Sequence, residues 1–191
     1  MGRAFARTMF SDAAKRLQTR YGSRTQYQRA AELGESGDAL GPIERGFIAA
    51  RDSFYMATVT VDGWPYVQHR GGPKGFLRVL DDKTLAFADF AGNKQYITAG
   101  NLETNDRVAL FLMDYPQQAR LKIIGHAKWL EPDAKLDALV RVEGYRAKVE
   151  RVITIDVVAF DWNCSQHITP RWTQEEIEEA MADGSRLAVP S

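Results

Sequence analysis

The sequence predicts a mainly β domain with peripheral helices, in which about six antiparallel strands make a closed or split barrel. Apolar runs at 76–80 and 84–90 flank the polar turn Asp81-Asp82-Lys83, the pattern of an antiparallel hairpin. A β-rich run at 54–61 ends at Asp62-Gly63, a two-residue hairpin signal, and residues 64–70 pair back on it. Further apolar runs at 107–113, 120–129 and 151–160 supply the remaining strands, with helices at the rim, an order that disfavours a βαβ fold.

Taken in order, residues 11–22 read as a short helix with Ser11 or Asp12 as N-cap and Gly22 as its stop. Residues 23–41 are polar and carry Gly34, Gly37 and Gly41, so they read as an extended arm with room for one helical turn. Such an arm is poorly ordered in a monomer and able to wrap the partner in a dimer. Pro42 suits the first residue of a helix whose apolar side is Ile43, Phe47, Ile48 and Ala50. Gly71-Gly72-Pro73-Lys74-Gly75 breaks the ladder with a bulge or loop. A helix is expected over 93–102, and another over 132–140 with Leu136, Leu139 and Val140 apolar; residues 116–119 join two strands. The chain thus divides into a helix and arm (1–41), a barrel domain (42–172) and a C-terminal helix and tail (173–191). There is no internal repeat and no low-complexity segment.

The 191 residues, 45% of them hydrophobic, suffice for one sizeable core. Lys+Arg and Asp+Glu each number 25, a balance that argues against nucleic-acid or anionic-membrane binding, where affinity rests on neutralised phosphates. One cysteine, Cys164, rules out an intrachain disulfide and fits a reducing compartment. No apolar run approaches the roughly 20 residues of a membrane span, and no signal peptide is recognisable, so the expected location is the cytoplasm.

Two stretches could carry chemistry. Gly92-Asn93-Lys94-Gln95 follows a strand and opens a helical pattern, a place where unpaired backbone N–H groups and the macrodipole favour an anion. Lys94, with Arg78 on the preceding strand, could complete a phosphate site; Gly-Asn-Lys also reads as an ordinary turn with a solvated lysine. Gln68-His69-Arg70-Gly71-Gly72 ends a strand in three donor-rich side chains and two glycines, which suits a flat heterocycle and equally a polar surface bulge. Cys164 and His167 supply only two of the three or four protein ligands a zinc site needs. His126, on an apolar strand, reads as structural, and no Gly-x-Ser-x-Gly elbow is present. The four tryptophans read as core or interface residues.

The succession of Gly63-Trp64-Pro65-Tyr66, Gln68-His69-Arg70, the hairpin, Gly92-Asn93-Lys94-Gln95 and 105–112 resembles the pyridoxamine 5'-phosphate oxidase-like FMN-binding split-barrel proteins, from about residue 43 to about residue 172. The resemblance implies a six-stranded split barrel completed as a homodimer, with FMN at the subunit interface. It implies cofactor contacts from Gln68, His69, Arg70, Gly71, Asp89 and Phe90. It places phosphate donors at Arg78, Asn93, Lys94 and Gln95, although relatives are usually more basic than Asn93 and Gln95. Arg120 falls where a polar contact to the ring is expected, able to stabilise the reduced flavin, or else is a plain strand-end arginine. The run from Asn163 to Trp172 resembles the C-terminal loop of a bacterial subgroup, Asn-Cys-x-x-x-Ile-x-x-Arg, which puts Arg171 and Trp172 within reach of a flavin across the interface.

The implied activity is an FMN-dependent oxidoreductase passing two electrons to oxygen or a small organic acceptor, and no catalytic acid or base is identified. Pyridoxamine-phosphate oxidation itself is disfavoured, because that enzyme's arginine-rich C-terminal motif is absent. The alternatives are a flavin carrier or sensor without turnover, and the same barrel holding F420 or haem, with His69 or His167 as the axial ligand.

Overall fold

A computed structural model describes residues 1–162 and 166–184. Seven strands form one antiparallel sheet: β1 (Ser53–Val59), β2 (Pro65–Gly71), β3 (Arg78–Val79), β4 (Thr84–Phe90), β5 (Arg107–Asp114), β6 (Ala119–Leu130) and β7 (Val149–Trp162). Their order is β2-β1-β5-β6-β7-β4-β3, and the sheet curls into a split barrel. The seventh strand is the two-residue β3.

The hairpins arise where the turn chemistry demands them. Gly63 takes φ +86°, a conformation open to glycine at no steric cost, and the turn sets the register Phe54↔Arg70 and Met56↔Gln68. Side chains then alternate along β2: Tyr66, Gln68 and Arg70 are half-buried, whereas Val67 and His69 are exposed. The barrel interior is filled by Phe54, Phe76, Phe87, Leu110, Leu121 and Ile123, all nearly inaccessible. Phe54 stacks on Phe76 at 5.5 Å and meets Phe87 edge-on at 5.2 Å. Gly72 serves this core, since a Cβ there would lie 2.7 Å from the Phe76 ring.

Seven helices are found among the described residues: α1 (Arg3–Met9), α2 (Asp12–Arg20), α3 (Arg24–Leu33), α4 (Pro42–Ala49), α5 (Ile97–Thr104), α6 (Ala134–Val140) and α7 (Gln174–Asp183). Ser11 caps α2, accepting from Ala14 N, and Thr173 caps α7 in a capping box with Glu176. Helix α4 starts at Pro42 as expected; Glu44 accepts from Gly41 N at 3.0 Å and from Trp162 Nε1 at 2.8 Å, tying the helix to the end of β7.

Two expectations are corrected. The region 23–41 is not an extended arm with one turn: α3 occupies ten residues of it, because Tyr27 packs edge-on against Phe10 at 5.4 Å and Arg24 bonds Gln18. The remainder runs along this chain's own β7, with Phe160 N donating to Gly37 O at 2.8 Å. The helix expected over 93–102 begins at Ile97. Lys94 and Tyr96 both have left-handed backbone, φ +58° and +55°, which keeps these residues off the helical path until Ile97. No helix among the described residues is long and apolar enough to cross a membrane.

Candidate functional site

Strand β2 is an edge of the sheet, and its side chains bridge the split in the barrel. Arg70 Nη1 donates to Asp89 Oδ1 on β4 at 2.5 Å, and Arg151 Nε on β7 donates to Asp89 Oδ2 at 2.9 Å. Arg151 Nη2 also reaches Glu150 at 3.1 Å. Asp89 and Arg151 are direct cross-strand partners at the point where the β4–β7 register slips by a bulge. Helix α5 is fastened to β2 and its neighbour β1: Thr98 Oγ1 donates to Gln68 Oε1 at 2.8 Å, and Asn101 Nδ2 to Thr58 Oγ1 at 2.9 Å.

These contacts frame a polar pocket of about 110 Å³ at the split, lined in part by the turn 92–96. Asn93 Oδ1 accepts from Gln95 N at 3.1 Å, which tightens the turn. The Arg151 guanidinium lies 4.9 Å from the centre of the Tyr96 ring. Burial works against the Arg151 charge, and the hydrogen bond to Asp89 with the charges of Asp89 and Glu150 outweighs it, so the group is held above its ordinary pKa. Arg70, Lys94 and Arg151 face Asp89 and Glu150 here, which leaves one net positive charge. Arg70 Nε is buried without a partner among the described residues. The size, the excess cation and that orphaned donor fit a phosphate group better than a tricyclic ring.

A second, larger hollow of about 670 Å³ lies on the outer face of β1, β5 and β6. Its floor is apolar, with Tyr55, Phe111 and Ile124 among its residues, and its charged groups are Arg120, Lys122 and Arg171, with His167 at the rim.

Of the residues singled out from the sequence, Gln68, Arg70, Asp89, Phe90, Asn93, Lys94 and Gln95 line the polar pocket. His69 and Gly71 line an adjoining recess of about 150 Å³, with the His69 ring turned outward, 5.6 Å from Tyr55. Arg120 and Arg171 stand on the outer hollow. Arg78 stands apart from both: its Nη2 donates to the carbonyl of Arg141 at the end of α6. His126 lies on the surface of β6 and contacts Asp106 at 3.0 Å, outside the apolar interior. Asn163, Cys164 and Ser165 lie outside the described residues. Among the described residues no three His, Cys, Asp or Glu side chains converge on a metal-sized site.

Residues 43–161, well over half of the chain, match the family described as pyridoxamine 5'-phosphate oxidase. The chain belongs to the pyridoxamine 5'-phosphate oxidase family. HupZ of Group A Streptococcus shares the fold, with a TM-score of 0.53 at 20% identity over 69% of this chain and 99% of that one. So does a conserved hypothetical protein of Mycobacterium tuberculosis, with a TM-score of 0.50 at 16% identity over 71% of this chain and 93% of the other. None of the curated proteins matches the chain.

In this member of the pyridoxamine 5'-phosphate oxidase family, Arg151, Glu150, Tyr96 and Thr98 join the site without having been singled out from sequence. Arg151 opens an apolar run as an ordinary strand-end cation would; only the β4–β7 register, which pairs it with Asp89, marks it.

Proposed function

We propose that this chain is an FMN-binding oxidoreductase that works as a homodimer, with the flavin phosphate in the polar pocket at the barrel split. The observation that carries this reading is the convergence of Gln68, Arg70, Lys94, Arg151 and Thr98 on a phosphate-sized space that retains a positive charge and an unmatched buried donor. Lys94 and Arg151 would bind the phosphate, and Asp89 would hold both guanidinium groups in position. The ring would leave the pocket toward the outer face, which in a dimer is closed by the second subunit; burial there excludes water. Arg120 would sit at the edge of the ring, where a cation favours the reduced, anionic flavin. Bound FMN supplies the two-electron chemistry itself, so no acid–base pair is required of the protein.

The enzyme and carrier readings differ in one observable. The FMN-loaded protein, mixed anaerobically with NADH or NADPH, is expected to lose its oxidised flavin absorbance and to recover it on admission of oxygen. Oxidised flavin that persists with every reduced donor supplied would assign the chain to carriage or sensing instead.

A further inference from the structure

Both ends of the chain add helices outside the family match of residues 43–161: α1, α2 and α3 before it and α7 after it. The chain is neutral as a whole, yet these additions are not. Residues 1–33 carry seven Lys or Arg against two Asp or Glu, and α7 carries Glu175, Glu176, Glu178 and Glu179 with no Lys or Arg. Little of this charge is matched within the chain. Among the described residues, Lys15 is the one cation of the seven that meets a carboxylate, Asp12 at 3.3 Å. Glu175 is the one of the four glutamates that meets a cation, Lys74 at 3.0 Å.

Each charged addition also leaves an apolar stripe uncovered. Helix α2 buries none of its residues; Leu17 and the C-cap Tyr21 are exposed one turn apart, and Arg16 and Arg20 run beside them. Helix α7 repeats this arrangement with the opposite charge. Ile177 and Met181 are exposed one turn apart with Glu178 beside them, and no helix or strand packs along α7 among the described residues. Two helices that each expose an i, i+4 apolar pair flanked by opposite charges are complementary surfaces.

The two helices stand at opposite margins of one face. The sheet runs β1-β5-β6-β7, and α1, which leads through Phe10 and Ser11 into α2, packs on β7. Residues 171–176 lie instead beside Ser53 and Tyr55 of β1. A two-fold dimer through this face, with its axis in the plane of contact and running between the margins, carries each margin over the opposite margin of its partner. The basic margin of one subunit then meets the acidic margin of the other, twice.

We propose that α7 of each subunit docks on α2 of a second copy of this chain, Ile177 and Met181 against Leu17 and Tyr21, and Glu178 against Arg20. The homodimer itself rests on the function proposed above; the helix contact rests on the charge separation and the uncovered stripes. Because both helices lie outside the family match, the contact belongs to this chain's own extensions and selects its own copies as partners.

Sedimentation analysis of the full chain tests this. Arg20→Glu and Glu178→Lys are each expected to raise the dimer dissociation constant about tenfold, since each reversal places like charges together in both symmetric contacts. Combining the two is expected to restore the constant to within about threefold of the wild type, and added salt to weaken the wild-type dimer. Cysteine crosslinking supplies a second readout. In a Cys164→Ser background, Leu17→Cys with Met181→Cys is expected to be joined by a short bis-maleimide into a species of twice the chain mass, and neither single variant is. A dimer that neither reversal weakens, reversals that do not rescue each other, or crosslinks confined within one chain would overturn the proposal. If wild-type but not Arg20→Glu protein then binds phosphatidylserine vesicles, the basic helices serve a membrane surface instead. A wild-type chain that stays monomeric retires the homodimer reading together with this contact, whereas a stable dimer indifferent to both reversals retires the contact alone.

Discussion

Asp89→Ala is expected to destabilise the protein by about 3 kcal/mol, because it leaves two half-buried guanidinium groups without the buried carboxylate they share. The Arg70 and Arg151 side chains are only 12% and 17% exposed, so water replaces the lost partner only in part, from the pocket side. The effect extends beyond one ion pair, since Asp89 on β4 is the hinge point through which β2 and β7 are held across the split. For a chain of this length, thermal unfolding should fall by roughly 10 °C or more. Asp89→Asn, which keeps the shape and one acceptor, should lose distinctly less. A melting temperature for Asp89→Ala within about 2 °C of the wild type would mean that these bonds do not close the barrel.

The second large effect concerns ligand choice. Lys94→Ala combined with Arg151→Gln is expected to raise the FMN dissociation constant about 100-fold or more, each lost charge-assisted contact being worth about tenfold. Riboflavin, which has no phosphate, should change by no more than about threefold, and Arg78→Ala should alter neither ligand, because its guanidinium is committed to the Arg141 carbonyl. Flavin fluorescence quenching follows all these titrations. Equal losses for the two ligands would remove the phosphate assignment.

How legible these features were in the sequence depended on the range of the interaction. Turns specified within a few residues were plain: Asp62-Gly63 and Asp81-Asp82-Lys83 named their hairpins, and the strands followed. The N-terminal helices α1 and α3 were not, since α1 is only seven residues long and α3 is largely polar, and only tertiary contacts, such as α1 against β7 and Tyr27 on Phe10, distinguish them from an arm. The start of α5 was misread because Lys94 and Tyr96 adopt a backbone that their residue types do not announce. The polar pocket was half visible. Its contributions from β2 and the 92–96 turn are local donor clusters, whereas Arg151 enters through a pairing of strands 62 residues apart. Arg78 was suggested by its place on the strand before Lys94 and by the family pattern; in this chain β3 pairs with Ala86 and Leu85, and the arginine reaches the end of α6 instead.

The central claim is that the polar pocket holds the phosphate of a flavin nucleotide. The most direct measurement is the visible spectrum and flavin content of the purified wild-type chain after incubation with excess FMN, and separately with riboflavin, followed by desalting. The expected result is about one FMN per subunit with little or no riboflavin retained. A colourless protein after both incubations, or equal retention of the two, would contradict the account.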